Sequence, residues 1–390
     1  MMRKELVLVL AILAFLIAHF GTWVAFYNRT NAMDLPRRLT KPLMKLSLLL
    51  AILFPLYLVF FQSRTLGFGH LLEGRFGEVP LFLRLYYGFI FSSYLWFGIA
   101  WIYTRPFLRI GWVDAQVDSK QYDVQVETGE CLTLSPKCAV FAKIPWNQIF
   151  QLSVEQITLP VRGLPSQLDG YRIAHLSDIH LTGDVAPEFT QHVINVANAW
   201  SPELFALTGD LIDSEHCVEW IHPIFAAATA VDGAYFILGN HDARMKDVNW
   251  IRESMRGAGW VDLGGQKRSV TLRGQEVTLL GNESPWLKEP PLLDRSDCDF
   301  RLMLSHSPDQ IRWARNHNVQ LMLAGHTHGG QGRLPLLGPI LSPSLYGSRF
   351  ASGQFYHDPT TMHVTRGLGG TRLLRLNCPP ELSLLTLRSM

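Results

Sequence analysis

The stretch Tyr171-Arg-Ile-Ala-His-Leu-Ser-Asp178-Ile-His180 decides how the second half of the chain folds: a short apolar run ends in Asp-x-His. A run of that length reads as a strand, Tyr171–Leu176, with the polar residues where the strand stops. The arrangement recurs. Leu204–Leu207 leads into Gly-Asp210, Tyr235–Leu238 into Gly-Asn240-His241-Asp242, Leu302–Leu304 into Ser-His306-Ser, and Leu321–Leu323 into Gly-His326-Thr-His328-Gly-Gly. Helical patterns fall between them at Glu188–Ala199, near Val218–Ala230, near Val248–Met255 and at Pro308–Asn316. Further strands are expected at Val270–Leu272, Val277–Leu280, Met362–Thr365 and Leu382–Leu387. Alternation of this kind predicts a layered α/β domain, and the pair around 270–280 suggests two sheets packed face to face. Ligands of open α/β sheets gather at the carboxyl ends of strands, which is where each of these polar residues stands.

The residue types point to phosphate-ester chemistry. Hydrolysis at neutral pH needs a nucleophile and a means of offsetting charge on the phosphoryl oxygens. Two divalent metals ~3.5–4 Å apart provide both, by acidifying a shared water and clamping the attacking and leaving oxygens. Mixed oxygen and nitrogen ligands suit Mn, Fe or Zn rather than a pure Ca site. Asp178 and His180, two apart, can face one metal from a strand end, and Asp210 is placed to bridge. Asn240 would be a neutral ligand, and His241 beside it can point at the leaving-group oxygen. His326 and His328 repeat the i, i+2 spacing, and Asp242 can orient a histidine from behind.

This ordered set resembles the calcineurin-like metallophosphoesterases, whose pattern is Asp-x-His, Gly-Asp, Gly-Asn-His-Asp/Glu, a lone His, then Gly-His-x-His. The match runs from about Arg172 to Leu387 and departs at no ligand position. The resemblance implies a four-layer α/β/β/α domain and two metal ions. One would be held by Asp178, His180, Asp210 and His328, the other by Asp210, Asn240, His306 and His326. His241 would act as general acid or charge stabiliser, with Asn240 beside it. Gln331 after the last glycines, and the closing Asn377-Cys378-Pro-Pro-Glu381, look like a membrane-associated branch, some of whose members hydrolyse UDP-diacylglucosamine-type lipid precursors. Asp213, Asp184, His175, His216 and His222 lie near the motifs and read as turn, capping or surface residues. Arg244, Arg349 and Arg366 can contact phosphate bidentately, although solvated arginines are commoner. Cys378 reads as a packed thiol.

Upstream the composition changes. The chain is 48% hydrophobic and 17% charged, with the apolar excess in the first ~105 residues. Runs at 6–26, 45–64 and 85–103 are long enough to cross a bilayer, the second with Lys45 and Arg64 reaching outward at its ends. Aromatic residues near the ends of the third run, Tyr86 and Trp101 among them, suit a membrane interface. No small-x-small site follows the first run, which argues against a cleaved signal peptide. The expected organisation is a three-span membrane domain over 1–105, a strand-rich linker over 106–165 and the catalytic domain over 166–390. Within the linker, Tyr122–Val126 alternates like a strand, and Ser153–Leu159 is expected as the first edge strand. With the catalytic domain in the cytoplasm, the inside flanks carry seven positive residues and the outside flanks five, a small bias toward that orientation. Net charge of +2 without a basic stripe excludes nucleic acid as the expected partner. Five widely spaced cysteines without a Cys-x-x-Cys pair read as reduced or buried thiols.

The expected function is a membrane-anchored, metal-dependent phosphoric ester hydrolase acting on phosphomono- or diesters, with lipid-linked substrates favoured by the tether. The alternatives are a tethered nucleotide phosphodiesterase and a metal-binding scaffold that has lost catalysis.

Overall fold

The computed structural model describes residues 2–61, 68–103, 108, 111–293 and 300–390. Arg64, Arg105, Arg109, Cys298 and the last residues of the expected second span, 62–64, lie outside them. By its contacts the chain divides into two units, Met1–Ile110 with Pro343–Arg349, and Gly111–Ser342 with Phe350–Met390.

The first unit holds helices α1 (Met2–Ala32), α2 (Arg37–Phe61), the short α3 (Phe68–Leu72) and α4 (Leu81–Tyr103). Stretches of 29, 24 and 23 residues on α1, α2 and α4 are long and apolar enough to cross a membrane, each exceeding the ~20 residues that span the hydrocarbon layer. Their outward surface is apolar, with Leu6, Ile17, Phe60, Leu85 and Trp96 all exposed. That is the reverse of a water-soluble bundle. Inside, Phe15, Ala18, Leu58, Leu83 and Ile90 pack together.

One polar chain crosses this interior, and its origin is a proline. Pro55 in α2 has no N–H to give the carbonyl of Ala51, four residues back. His19 Nε2 of α1 lies 3.1 Å from that carbonyl and donates to it. The free lone pair of His19 Nδ1 then accepts from the Tyr86 hydroxyl of α4 at 2.6 Å, and Tyr86 accepts from Trp23 Nε1 at 3.0 Å. Each group is satisfied in turn, as burial away from water requires.

The second unit contains strands β1 (Gln116–Asp123), β2 (Gln151–Val161), β3 (Arg172–Leu176), β4 (Leu204–Thr208), β5 (Ala234–Ile237), β6 (Val261–Asp262), β7 (Lys267–Leu272), β8 (Gln275–Asn282), β9 (Arg301–Ser305), β10 (Leu321–Ala324), β11 (Arg333–Leu334), β12 (Gly338–Pro339), β13 (Gly353–His357), β14 (Thr360–Val364) and β15 (Glu381–Ser389). Its helices are α5 (Val124–Thr128), α6 (Pro136–Ala142), α7 (Pro187–Ala199), α8 (Ile221–Phe225), α9 (Val248–Gly257) and α10 (Ile311–Asn316). One sheet runs β1-β2-β15-β3-β4-β5-β6 and the other β13-β14-β10-β9-β8-β7, with β11 and β12 paired as a small hairpin.

Alternation along the strands builds the layers. In β4, Leu204 and Ala206 face the second sheet, while Phe205 and Leu207 face the helices. In β10, Leu321 and Leu323 face the first sheet, and Met322 and Ala324 face α10. Strands buried on both faces read as unbroken apolar runs, which is why these were visible in the sequence. The order is helices α5–α9, sheet, sheet, α10, the four-layer α/β/β/α arrangement. Each fully buried large side chain between layers stabilises it by about 1.5–3 kcal/mol.

Three expectations need correction. Ser153–Leu159 belongs to an internal strand, since β2 lies between β1 and β15. The strand expected through Tyr122–Val126 stops at Asp123, whose carboxylate accepts from the amides of Gln125 and Val126 and caps α5, with Gly129 closing it in the left-handed region. The helix expected at Val218–Ala230 is a 3-10 turn, Glu215–Trp220, followed by the short α8. Pro223 lacks the N–H that would join them into one α-helix. The segment 111–165, expected as a linker, clusters by its contacts with the second unit.

Candidate metal centre

Strands β3, β4 and β5 run parallel in one sheet, and β8, β9 and β10 in the other. Their carboxyl ends meet. His306, just past β9, donates from Nδ1 to the carbonyl of Thr208 at the end of β4 (2.7 Å), and the amide of His326, past β10, donates to Asp178 Oδ2 past β3 (2.9 Å). The glycines of the motifs make this approach possible. A Cβ on Gly239 would lie 2.3 Å from Asp210 Oδ1, and one on Gly325 would lie 2.4 Å from Asp178 Oδ2.

Five of the seven candidate ligands have left-handed backbone: Asp178 (φ 51°), His180 (51°), Asp210 (55°), His326 (69°) and His328 (51°). Each costs about 1–3 kcal/mol, and such strain concentrates at functional sites. It also corrects the reason given for the i, i+2 pairs. Asp178 with His180, and His326 with His328, turn to one side through two left-handed residues, not through a strand pleat.

Three donor clusters result among the described residues; Asp210 belongs to two of them, and the third, His180, Asp213 and His241, is closed by hydrogen bonds from both rings to Asp213. Asp178, His180, Asp210 and His328 bring one donor atom each within 4.8 Å of one another, as do Asp210, His306 and His326. In the first, His180 Nε2 lies 3.1 Å from His328 Nε2 and 3.5 Å from Asp210 Oδ2, and His328 Nε2 lies 3.4 Å from Asp178 Oδ1. In the second, His306 Nε2 lies 3.1 Å from His326 Nδ1, 3.4 Å from Asp210 Oδ1 and 3.0 Å from Asn240 Oδ1. All seven sequence-predicted metal residues thus come together, with Asn240 joining through its side-chain oxygen.

The donor set fits a cation. His180 gives its Nδ1 proton to Asp213 (2.6 Å), and His328 gives its own to the Gly369 carbonyl (3.3 Å), so both Nε2 lone pairs face the carboxylates. Asp210 Oδ2 and His326 Nε2 are buried with no hydrogen-bond partner. Burial opposes charge here. Even so, His306, His241 and His180 hold the Asp210 carboxyl well below the usual carboxylate range. Burial and neighbouring imidazoles hold His326 and His328 well below the usual histidine range. His306 moves up to about 9, because Asp210 and Asp178 outweigh its burial. The two carboxylates thus favour positive charge at His306 against its burial.

Asp213, expected as a turn, capping or surface residue, sits in the bend after β4 and has a further role there. Its Oδ2 accepts from His180 and its Oδ1 accepts from His241 Nδ1, so one carboxylate orients both imidazoles. Its place three residues after Asp210 was the available signal. Asp213→Asn is expected to weaken metal binding or activity about 10–100-fold, as loss of an orienting partner does. Metal titration of the purified variant reads this directly, and unaltered affinity and turnover would remove Asp213 from the account. Asp242, expected to orient a histidine, instead accepts from the amides of Leu211, Ile212 and Gly239. It ties the loops after β4 and β5 together.

Other residues fall into place around this core. His241 Nε2 accepts from Arg244 Nη1 at 2.6 Å, at the exposed edge of the site. Arg366, considered for phosphate contact, is committed to Glu155 and Glu381; Arg349 lies in the segment grouped with the first unit. His175 is a core residue, fully buried and bonded to Thr208 Oγ1 (2.9 Å). The described cysteines 131, 138, 217 and 378 are free thiols. Two participants had no sequence signal: Trp286, whose ring lies 4.7 Å from that of His326, and Arg375. The buried Arg375 guanidinium donates to the carbonyls of Arg366, Gly367 and Gly369, while the amide of Gly369 donates to the Asp178 carbonyl.

The family profile for calcineurin-like phosphoesterases matches residues 171–330. Over 235 residues the chain is 32% identical to the uncharacterized metallophosphoesterase YkuE of Bacillus subtilis, covering 58% of this chain and 82% of that protein. It is 29% identical to the phosphodiesterase YaeI of Escherichia coli, covering 56% and 82%. It is 23% identical to the UDP-2,3-diacylglucosamine pyrophosphatase LpxG of Chlamydia trachomatis, covering 62% and 91%.

Proposed function

The chain belongs to the calcineurin-like metallophosphoesterases, and from that premise we propose that it is a membrane-anchored hydrolase using two divalent ions, Mn, Fe or Zn, to cleave a lipid-linked phosphate ester or diphosphate. The observation that carries this is the sharing of Asp210 between two donor clusters, one oxygen toward each. Asp178, His180, Asp210 and His328 would hold one ion, and Asp210, Asn240, His306 and His326 the other. When bound, such a pair supplies Lewis acidity toward phosphoryl oxygens and a water acidic enough to attack at neutral pH.

The remaining work falls to the chain. Asp213 fixes the His241 ring; its Nε2 accepts from Arg244 here, and would carry a proton to the leaving oxygen only once Arg244 turns to the phosphate and Nε2 takes one up. Arg244 beside it adds a positive charge where the phosphate would sit. The apolar helices and the likeness to a UDP-2,3-diacylglucosamine pyrophosphatase support a lipid substrate. The loop charges support a catalytic unit on the cytoplasmic side, which protease accessibility in sealed vesicles tests.

The decisive screen uses the purified full chain in detergent with Mn, against aryl phosphomonoesters, aryl phosphodiesters, cyclic nucleotides and a UDP-linked diacyl lipid. Hydrolysis of the diester and the lipid is expected, lost on chelation and restored by Mn. Turnover of cyclic nucleotides alone would favour a tethered nucleotide phosphodiesterase, and no turnover at all would favour a scaffold.

A further inference from the structure

A histidine that holds a metal through one ring nitrogen is ordinarily held in place through the other. Three of the four proposed ligand histidines follow that rule. His180 donates from Nδ1 to Asp213, His306 from Nδ1 to the Thr208 carbonyl, and His328 from Nδ1 to the Gly369 carbonyl. His326 is the exception. It turns Nδ1 toward His306 Nε2 (3.1 Å), inside the second cluster, so the ring proton would sit on Nε2. That Nε2 is buried and has no hydrogen-bond partner among the described residues.

What lies against this ring is Trp286. Its indole is 4.7 Å from the His326 ring, tilted by 47°, and 5.5 Å from the His306 ring, at 70°. Both are spacings of favourable aromatic pairs. Leu287, the next residue, packs against the apolar core, so the loop after β8 divides its side chains between core and site.

This loop is tied to the segments that deliver the cluster. The Ser284 amide donates to Asn282 Oδ1 (2.9 Å), and Gln310 Nε2, from the turn after His306, donates to the Ser284 carbonyl (3.3 Å). The buried Glu283 accepts through Oε1 from the Leu238 amide (2.7 Å), just before Gly239-Asn240, and through Oε2 from Arg252 Nη2 (2.7 Å). The Trp286 amide donates to the Glu283 carbonyl (3.2 Å). The indole is therefore anchored to the chain segments that carry Asn240 and His306, and it can fix a neighbouring ring because its own backbone is fixed.

We propose that Trp286 is a positioning residue for His326: its indole, in place of a hydrogen bond, keeps Nδ1 turned toward the second ion. The inference rests on the two-ion reading for what His326 holds, and on the ring contact for how His326 is held. Mn titration of the metal-free full chain in detergent tests the first part. In Trp286→Ala one Mn should bind as in the parent and the other about 10–100-fold more weakly. Trp286→Phe, which keeps a ring, should bind both nearly as the parent does. Turnover of an aryl diester by the alanine variant should return to the parent kcat as Mn is raised. Equal weakening of both ions, unchanged binding of both, or a phenylalanine variant as weak as alanine would overturn the proposal. Side-chain magnetic resonance of isotope-labelled histidine in the metal-free chain tests the second part. The His326 ring signal should broaden in Trp286→Ala, while those of His180 and His328 keep the parent line width. A His326 signal as sharp as the parent's, or equal broadening of all three, would overturn it. A parent chain that takes up a single Mn would remove the two-ion reading instead, and the histidine signals would still decide whether Trp286 holds the ring.

Discussion

Asp210→Ala is expected to abolish hydrolysis, lowering turnover of an aryl phosphodiester by at least ~10³-fold, the loss that several kcal/mol of transition-state charge stabilisation implies. Among the described residues Asp210 is common to the two clusters proposed to hold the ions, so its removal strips both at once. Alanine also leaves the His241 amide, which now donates to Asp210 Oδ1 at 2.7 Å, without an acceptor, and it places a poorly suited residue at φ 55°. Asp210→Asn avoids both problems, since asparagine keeps an oxygen and tolerates left-handed backbone. The asparagine variant should therefore unfold like the parent while losing activity and bound metal, because a neutral amide cannot offer two anionic oxygens. Full activity in Asp210→Asn would sink the dinuclear account.

His241→Ala is expected to cost about 10²–10⁴-fold, the range of general acid catalysis, and the loss should depend on the leaving group. An ester whose alkoxide leaves reluctantly needs the proton that His241 would deliver. A nitrophenyl ester, whose anion leaves unaided, should lose much less. Metal content should stay at the parent level, since His241 is not one of the seven proposed ligands and its Nδ1 is committed to Asp213 within their cluster with His180. Equal losses on both esters, measured as kcat under saturating Mn, would make His241 a charge stabiliser rather than an acid.

Much of this was legible because burial on two faces leaves apolar runs, and the chemistry begins where those runs end. Strands β3, β4, β5, β9 and β10 and the residues after them follow that rule. Asp213 and Asp242 escaped it because most of their partners, His180 and His241 for one and the amides of Leu211 and Ile212 for the other, are about thirty residues away: which carboxylate meets a histidine and which meets backbone amides is set by loop packing. Arg366 looked available for phosphate because its partners, Glu155 and Glu381, come from β2 and β15, strands that become neighbours only in the folded sheet. The exposed β1 and the partly buried β13 carried no clear pattern, and α5 was hidden by an alternation that its Asp123 cap interrupts.

Anomalous diffraction from Mn-loaded crystals of the full chain tests the central claim most directly. Two peaks are expected ~3.5–4 Å apart, one on each side of the Asp210 carboxylate, the first beside His180 and His328 and the second beside His306 and His326. A single peak, or a pair that does not share Asp210, would contradict the account.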